Sequence, residues 1–98
     1  MINAKAVIEK NIDNDELDTA LLSKRLRLSN SQLYRKIKAL TGNSISEFIR
    51  TTRLAKAKQL LKAKHGNVSE IAYQVGMQPG YFTKTFKKLY GIKPKELI

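Results

Sequence analysis

The sequence predicts an all-α protein of about seven helices, in which two helix-turn-helix units are joined by one long connector helix. Three observations support this prediction. Residues 44–65 contain no proline or glycine and are rich in residues that favour a helix. The apolar side chains of this stretch fall on two faces rather than one. The pattern of caps, apolar positions and glycines that precedes it returns 49 residues later.

The two apolar faces of the connector predict two separate cores. At about 100° per residue, one face lies roughly 120° from the other. The first face is formed by Ile45, Phe48, Ile49 and Thr52, and the second by Leu54, Ala57, Leu60 and Leu61. A helix whose apolar face changes halfway along has a different core to pack against at each end. Residues 44–65 are therefore interpreted as a helix shared by two units.

Three helices are predicted before the connector. Apolar residues at helical spacing indicate a first helix over residues 2–12. After an acidic loop, Asp18 is a suitable N-cap for a second helix that runs to Leu26. Ser29, followed three residues later by Gln32, has the pattern of a capping box that opens a third helix. The side chains expected to face the first core are Ala4, Val7, Ile8, Ile12, Leu21, Leu22, Leu26, Leu33, Ile37 and Leu40.

The same order of signals follows Gly66, where the connector is expected to stop. Asn67 and Glu70 form a second capping-box pattern, Gly76 begins a turn, and Pro94 suits the first position of a last helix. The side chains expected to face the second core are Ile71, Ala72, Val75, Phe82, Phe86 and Leu89. Positions that correspond at the 49-residue offset include Asp18 and Asn67, Leu22 and Ile71, Leu33 and Phe82, Leu40 and Leu89, and Gly42 and Gly91.

The chain is accordingly divided into three parts that form one domain. Residues 1–43 hold the N-terminal helix and the first helix-turn-helix unit, residues 44–65 the connector, and residues 66–98 the second unit with a truncated last helix. In each unit the second helix is expected to end at a glycine, where the chain can adopt a left-handed conformation.

The charge is distributed unevenly along the chain. Residues 1–18 hold two basic and five acidic side chains, a net −3, whereas residues 19–98 hold 17 basic and three acidic side chains, a net +14. Such a field favours a polyanion as partner, with nucleic acid first and an anionic membrane second. The chain contains no cysteine, which excludes disulfides and thiolate metal sites, and no stretch has the apolar length of a signal peptide or a membrane span.

The outward face of the second helix in each unit is the candidate nucleic-acid surface. With Leu33 facing inward, the opposite side of the helix carries Ser31, Arg35 and Lys38, flanked by Tyr34 and Ala39. With Phe82 facing inward, the opposite side carries Gly80, Lys84 and Lys87, flanked by Thr83 and Lys88. At the 49-residue offset, Arg35 corresponds to Lys84 and Lys38 to Lys87. Both helices therefore present basic side chains on a face that fits a major groove. A merely solvated basic face is the alternative.

Three segments of the chain closely resemble the DNA-binding domain of AraC/XylS-type transcription regulators. They are LSNSQLYRKIKALTGNSISEFIRTTRLAKAKQLL, VSEIAYQVGM and YFTKTFKKLYGIKP, and the resemblance covers the chain from about Asp15 to Ile98. The segment LYRKIKALTG is also similar to the output domain of hybrid two-component regulators of the Bacteroidetes type, which carry sensor and receiver modules upstream.

The resemblance implies sequence-specific binding of double-stranded promoter DNA by two recognition helices in successive major-groove segments. The implied base contacts are Asn30, Ser31, Tyr34 and Arg35 in the first unit, and Gly80, Tyr81, Thr83 and Lys84 in the second. The expected phosphate contacts are Lys36, Lys38, Lys87, Lys88 and Lys93. Upstream sensor, receiver or dimerisation domains are the expected protein partners, RNA polymerase is a further candidate, and the expected location is the cytoplasm, away from membranes.

The sequence departs from the family pattern at the second unit. Three residues, Gln78-Pro79-Gly80, precede its aromatic pair where relatives usually have four, and Met77 replaces the usual phenylalanine. Gly80 offers no side chain to a base, so the second unit is expected to read sequence less, or in a shifted register. In the first unit, Arg27 stands where the turn often has glycine.

Other functions find less support in the residues. No nucleophile–base pair, glycine-rich phosphate loop or pair of catalytic carboxylates is present, so an enzyme is not expected. The acidic residues Asp13, Asp15, Glu16 and Asp18 lack the glycine and distal glutamate of a calcium loop, so neither a metal nor a cofactor is predicted. The alternative function is a basic helical module that binds nucleic acid nonspecifically, a protein partner or an anionic membrane surface.

Overall fold

A computed structural model describes residues 4–14 and 16–98 of the chain, and within them the fold is all-α as predicted. Its elements are α1 (Ala4–Lys10), α2 (Thr19–Leu26), α3 (Asn30–Thr41), α4 (Ile45–Lys62), α5 (Val68–Gln74), α6 (Pro79–Tyr90) and a final 3₁₀ helix (Pro94–Leu97). The predicted first helix ends two residues too late, since α1 stops at Lys10. Residues 2 and 3 of that prediction, and Asp15, lie outside the described residues.

The predicted N-caps are confirmed by their hydrogen bonds. The Asp18 carboxylate accepts from the backbone amide three residues later at 2.9 Å. The Ser29–Gln32 capping box has both of its bonds, at 3.1 and 2.9 Å, and the Asn67–Glu70 box has both at 2.8 and 3.0 Å. These bonds satisfy amides that a helix start otherwise leaves without partners, so they fix where α2, α3 and α5 begin.

The turns of the two helix-turn-helix units have the same backbone geometry. Shortly after α2 and α5 the chain passes through a residue in the left-handed region, Arg27 at φ 57° and Gly76 at φ 75°. The next amide then reaches back to the helix, from Leu28 to the Ser23 carbonyl at 3.0 Å and from Met77 to the Ala72 carbonyl at 2.9 Å. The two residues are 49 apart, so the repeat extends to the backbone of the turn, although a glycine is present only in the second unit.

The connector helix α4 ends earlier than the sequence indicated. It stops at Lys62, and Lys64 takes the left-handed conformation at φ 57°, so that the amide of His65 donates to the Leu60 carbonyl at 3.0 Å. The prediction that Gly66 terminates this helix is therefore wrong. The amides of Ala63, Lys64 and His65 donate to the last carbonyl groups of α4, so the helix is already closed before Gly66.

Two cores are present, and α4 contributes to both as predicted. The first contains Ala4, Ile8, Leu17, Leu22, Leu33, Ile37, Ile45 and Ile49. The second contains Leu54, Ala57, Leu61, Ile71, Ala72, Val75, Met77, Phe82 and Phe86. The change of buried face lies between Thr52 and Leu54, both of which are buried. Each half of α4 thus owes its position to a different unit, and the helix joins them into a molecule 39 Å long.

Two residues predicted for the cores are instead exposed. Leu40 is 69% exposed and Leu89 is 47% exposed. They occupy equivalent positions, one turn beyond Ile37 and Phe86 in α3 and α6. Helical spacing gives the direction in which a side chain points, whereas burial also requires an element that covers it, and the last turn of each helix lacks such cover.

The chain after α1 reaches the second unit, which the sequence did not indicate. Ile12 packs against the second core rather than the first. Arg53, which is only 9% exposed, donates from Nη2 to the Asn14 carbonyl at 2.6 Å and from Nη1 to the Gly76 carbonyl at 3.4 Å. A methyl group on Gly76 would lie 2.5 Å from the Ile12 carbonyl oxygen. The N-terminal segment, the connector and the second turn are therefore packed as one junction.

A row of aromatic rings anchors α6 to the second core. The ring centroids of Phe82 and Phe86 are 5.5 Å apart, and those of Phe86 and Tyr90 are 4.7 Å apart. The Lys58 ammonium of α4 lies 4.5 Å from the centroid of the Tyr90 ring. Burial raises the pKa of the Tyr90 hydroxyl above its usual value, which keeps that group neutral at the edge of the core.

Candidate nucleic-acid interface

The outward face of α3 is open to solvent. Ser31, Arg35 and Lys38 are exposed, and the Tyr34 side chain is 50% exposed. The burial of Leu33 on the opposite side of the helix fixes this orientation. A guanidinium in such a position has the fork of N–H donors that matches the O6 and N7 acceptors of guanine.

The outward face of α6 carries mainly lysines. Lys84, Lys87 and Lys88 are exposed, Tyr81 is 50% exposed, and Thr83 is partly buried. As the repeat predicts, Lys84 and Lys87 take the places that Arg35 and Lys38 take in α3. An ammonium group acts as a flexible point charge rather than a planar fork, so this face is better suited to phosphates than to base edges.

The shortened start of α6 has a simple local structure. Gln78 is extended and makes no side-chain cap, and Pro79 occupies the first helical position, where the missing amide proton has no cost. A Cβ atom added to Gly80 would meet no heavy atom within 4 Å. The space in front of the first turn of α6 is therefore unfilled, whereas Ser31 occupies the equivalent place in α3.

Three of the predicted contact residues, Asn30, Lys38 and Tyr81, make side-chain hydrogen bonds within the protein. The Asn30 Oδ1 atom accepts from the Ser23 hydroxyl at 2.7 Å and so ties α3 to α2. The Lys38 ammonium donates to the Gly42 carbonyl at 3.0 Å, at the C-terminal end of its own helix. Asn30 is thus held at the start of the recognition helix, while Lys38 keeps two further N–H donors for another acceptor.

A concave surface, here called the central trough, lies along α4, between the start of α2 and the start of α6. It is lined by residues of both units and of α4, among them Thr19, Ser46, Arg50, Gln78 and Tyr81. The Arg50 Nη1 atom donates to the Tyr81 hydroxyl at 3.3 Å. Arg50 was not predicted as a functional residue, because the sequence pattern of α4 indicates only a connector. The signal was the polar pair Ser46 and Arg50, one turn apart in the first half of α4 and on the side of the helix that becomes apolar in its second half.

Each unit also has a notch between its second helix, α3 or α6, and the segment that follows. The first notch includes Thr19, Tyr34, Ser44, Ile45 and Ser46, and the second is lined by Val68, Thr83, Lys93, Pro94 and Lys95. Every member of the second notch lies 49 residues after a member of the first. Two serines of the first notch are replaced by lysines in the second, so the second is the more basic.

The described residues provide neither a metal site nor a membrane span. No three histidine, cysteine, aspartate or glutamate side chains among them are grouped so that they could hold a metal ion. None of the helices in this part of the chain combines the length and apolarity needed to cross a bilayer. The exposed chemistry is that of the basic and hydroxyl side chains described above.

Comparison with known proteins is consistent with this arrangement. A family model described as a helix-turn-helix domain, of the AraC type, matches residues 22–98. Histidine kinase P4 of Formosa agariphila is 40% identical over 91 residues, a match that covers 92% of this chain and 7% of that protein. The chain thus corresponds to a small fraction of the length of this relative.

Solved structures have the same fold. The C-terminal domain of AraT, a response regulator from Geobacillus stearothermophilus, superposes with a TM-score of 0.83 at 30% identity, covering 96% of this chain and 78% of that one. The DNA-binding domain of AdpA, a global transcriptional factor solved in complex with a target DNA, gives a TM-score of 0.83 at 23% identity, covering 95% and 84%. The second likeness concerns the fold alone.

Proposed function

This chain belongs to the AraC-type helix-turn-helix family, the DNA-binding domains of transcription regulators, and on that premise we propose that it binds specific double-stranded DNA sequences. In the proposed complex α3 and α6 enter successive major-groove segments on one face of the duplex. The proposal goes beyond family membership in two respects: it assigns sequence specificity, and it assigns a groove to each unit.

The observation that carries the proposal is the repetition of one basic surface. Exposed basic side chains lie at equivalent positions of α3 and α6, 49 residues apart. The molecule is 39 Å long. Major-groove segments on one face of B-DNA recur about every 34–36 Å. A molecule of this length can span one such period, and a negatively charged ligand suits the two basic faces. The AdpA domain, bound to its target DNA, supports the same use of the fold.

Base readout is assigned mainly to α3. Arg35 is the proposed contact to guanine, and Asn30, Ser31 and Tyr34 lie at the start of the helix or beside it, within the same segment. In α6 the proposed base contacts are Tyr81, Thr83 and Lys84. Gly80 has no side chain to contribute, so the second unit is expected to add less specificity than the first.

Phosphate contacts are assigned to the exposed lysines around the two helices. The proposed set is Lys36, Lys38, Lys87, Lys88 and Lys93. Each phosphate neutralised releases counterions from the duplex, so affinity is expected to fall steeply with salt. Because three of the five belong to the second unit, removal of their charges should flatten the salt dependence more than removal of the two in α3.

The domain is also proposed to work as the output part of a longer regulator. The relative from Formosa agariphila is a histidine kinase of which this chain spans 7%, and the AraT structure is a domain of a response regulator. On this proposal upstream sensor, receiver or dimerisation domains bring two copies together on DNA. RNA polymerase is the proposed downstream partner, and the cytoplasm is the proposed location.

The test is a selection of bound duplexes from a random library, followed by titration of the enriched duplex at two salt concentrations. Enrichment of a motif that spans two adjacent major-groove segments is the expected result. A motif confined to one segment would limit base readout to α3 and leave α6 as a phosphate clamp. Binding without enrichment, abolished by salt, would contradict sequence specificity and favour the nonspecific alternative.

A further inference from the structure

The central trough lies where the two proposed groove contacts meet. Its wall on the side of the first unit includes Thr19 and Ser46, which also line the first notch beside α3. Its wall on the side of the second unit includes Gln78, which precedes α6, and Tyr81 of α6. Arg50 lies between them on α4. Between two successive major-groove segments a duplex presents its minor groove and the two backbones that flank it.

We propose that the central trough binds the sugar-phosphate backbone between the two major-groove segments, with Arg50 as the phosphate contact and Tyr81 positioned for it by their hydrogen bond. The inference rests on the proposed function, since it requires that α3 and α6 both face DNA. It changes the role of the connector helix, which contacts the ligand as well as joining the two units. It also assigns Tyr81 to a phosphate rather than to a base.

The chemistry of the lining suits a phosphodiester. Hydroxyl, amide and guanidinium groups are the side chains that most often contact DNA phosphates. The trough also contains one carboxylate, that of Asp18, but its Oδ1 atom already accepts from the Leu21 amide at 2.9 Å. The acid therefore serves the start of α2, and the guanidinium of Arg50 supplies a positive charge to the surface.

The hydrogen bond between Arg50 and Tyr81 leaves both groups able to contact a phosphate. The Tyr81 oxygen accepts from Arg50 Nη1 at 3.3 Å, so its own proton remains available for a different acceptor. The guanidinium uses one of its five N–H donors in this bond. Two adjacent donors, one of them charged, can then reach oxygens of one phosphate. The bond also limits the rotamers of two long side chains before DNA arrives, which reduces the entropy lost on binding.

The experiment combines protein variants with duplexes in which single phosphates are replaced by neutral methylphosphonates. The variants are Arg50→Met, which removes the charge, and Tyr81→Phe, which removes one oxygen. Lys62→Met is the control, because it removes a positive charge from the exposed end of the same helix, away from the trough. Affinities are measured on the sequence enriched by selection, and thermal melting of each variant is compared with that of the unchanged protein.

One or two adjacent phosphates between the two motif segments are expected to matter chiefly to Arg50. Neutralising them should weaken the unchanged protein about tenfold, the order of magnitude of a charge-assisted hydrogen bond, and should have a much smaller effect on Arg50→Met, which keeps only the Tyr81 hydroxyl. Tyr81→Phe should show a smaller loss at the same phosphates. Lys62→Met should be as sensitive to them as the unchanged protein.

Equal sensitivity of Arg50→Met and the unchanged protein at every position would overturn the inference while leaving sequence-specific binding intact. A loss in Arg50→Met that is the same for all duplexes would also overturn it, because that result describes a general charge effect. If selection yields no enriched sequence, the proposed function itself fails, and this is evident before any phosphate is replaced.

Discussion

Arg35 and Lys38 lie on the same exposed face of α3, yet they are expected to contribute differently to DNA binding. The Arg35 guanidinium can form two parallel hydrogen bonds to guanine, whereas Lys38 is held near the end of the helix by the Gly42 carbonyl. Arg35→Ala should therefore cost about 1–3 kcal/mol on the preferred sequence and little on random DNA. Lys38→Ala should weaken both to a similar extent. The measurement is a titration of each variant with the two duplexes.

If Arg35→Ala and Lys38→Ala each lose the same affinity on the preferred duplex as on random DNA, the proposed division of roles is wrong. Circular dichroism of each variant provides the control for folding. Neither side chain is buried, so the melting temperatures are expected to stay close to that of the unchanged protein.

Gly76 and Gly42 have the same positive φ but different surroundings, which separates two effects of an added methyl group. At Gly42 no atom lies within 4 Å of the new Cβ, so Gly42→Ala should cost only the left-handed conformation, about 1–2 kcal/mol. At Gly76 the methyl would lie 2.5 Å from the Ile12 carbonyl oxygen and 3.1 Å from the Arg53 guanidinium. Gly76→Ala should therefore cost about 1–3 kcal/mol more.

Urea denaturation of the two variants measures this difference. If Gly42→Ala and Gly76→Ala lose the same unfolding free energy, the N-terminal segment moves aside without loss of stability. The junction between residues 11–14 and the second turn then does not contribute to stability.

Residues whose role depends on one local rule could be predicted from the sequence, and residues whose role depends on a neighbour could not. The caps at Asp18, Ser29 and Asn67 follow from hydrogen bonds within four residues and were found. The exposure of Leu40 and the contact of Arg50 with Tyr81 were not predicted. Both depend on elements that are far away in the chain. Periodicity does not contain that information.

At the scale of elements, α4 is the helix on which both cores depend. Its first half buries Ile45 and Ile49 in one core, and its second half buries Leu54 and Leu61 in the other. The two faces were predicted, because a shift of apolar spacing within one helix is visible in sequence. The C-terminal end of α4 was not predicted correctly. Lys64 adopts the left-handed conformation that ends the helix, before Gly66 is reached.

Leu61→Asp should unfold the second unit, since Leu61 is fully buried and an unpaired carboxylate would be placed in an apolar core. A loss of more than about 4 kcal/mol is expected, in the range of the most severe single substitutions. Leu40→Asp is the matched control. Leu40 is 69% exposed, so the same change there should cost less than about 1 kcal/mol, mainly through the charge at a helix C-terminus.

Thermal melting followed by circular dichroism compares these two variants. Retained helicity and an unchanged melting temperature in Leu61→Asp would contradict the dependence of the second unit on α4. A large loss in Leu40→Asp would mean that the last turn of α3 is covered in solution.

At the scale of the whole molecule, the 49-residue repeat explains why the sequence was informative about the fold. Each half provided a copy of the same pattern, and the two copies agree in the cap of the first helix, in the core positions and in the turn, although Ser29 caps α3 and the equivalent Gln78 makes no side-chain cap. The repeat was less informative about the interface, because the copies differ there: Arg35 corresponds to Lys84, Ser31 to Gly80, and Ser44 and Ser46 to Lys93 and Lys95. On the proposed function, these differences favour an unequal division of base reading and phosphate binding between two units that are alike in backbone.

On the proposed function, the single helix shared by both units should make the domain sensitive to the rotational phase of its DNA target. Because α4 is continuous from Ile45 to Lys62, it sets both the distance and the angle between α3 and α6. One base pair inserted between the two motif segments shifts the second by about 3.4 Å and turns it by roughly 34°. Affinity should fall to that of a single segment within a few insertions. It should not return when a full turn of about 10 base pairs restores the phase, whereas two flexibly tethered readers would recover.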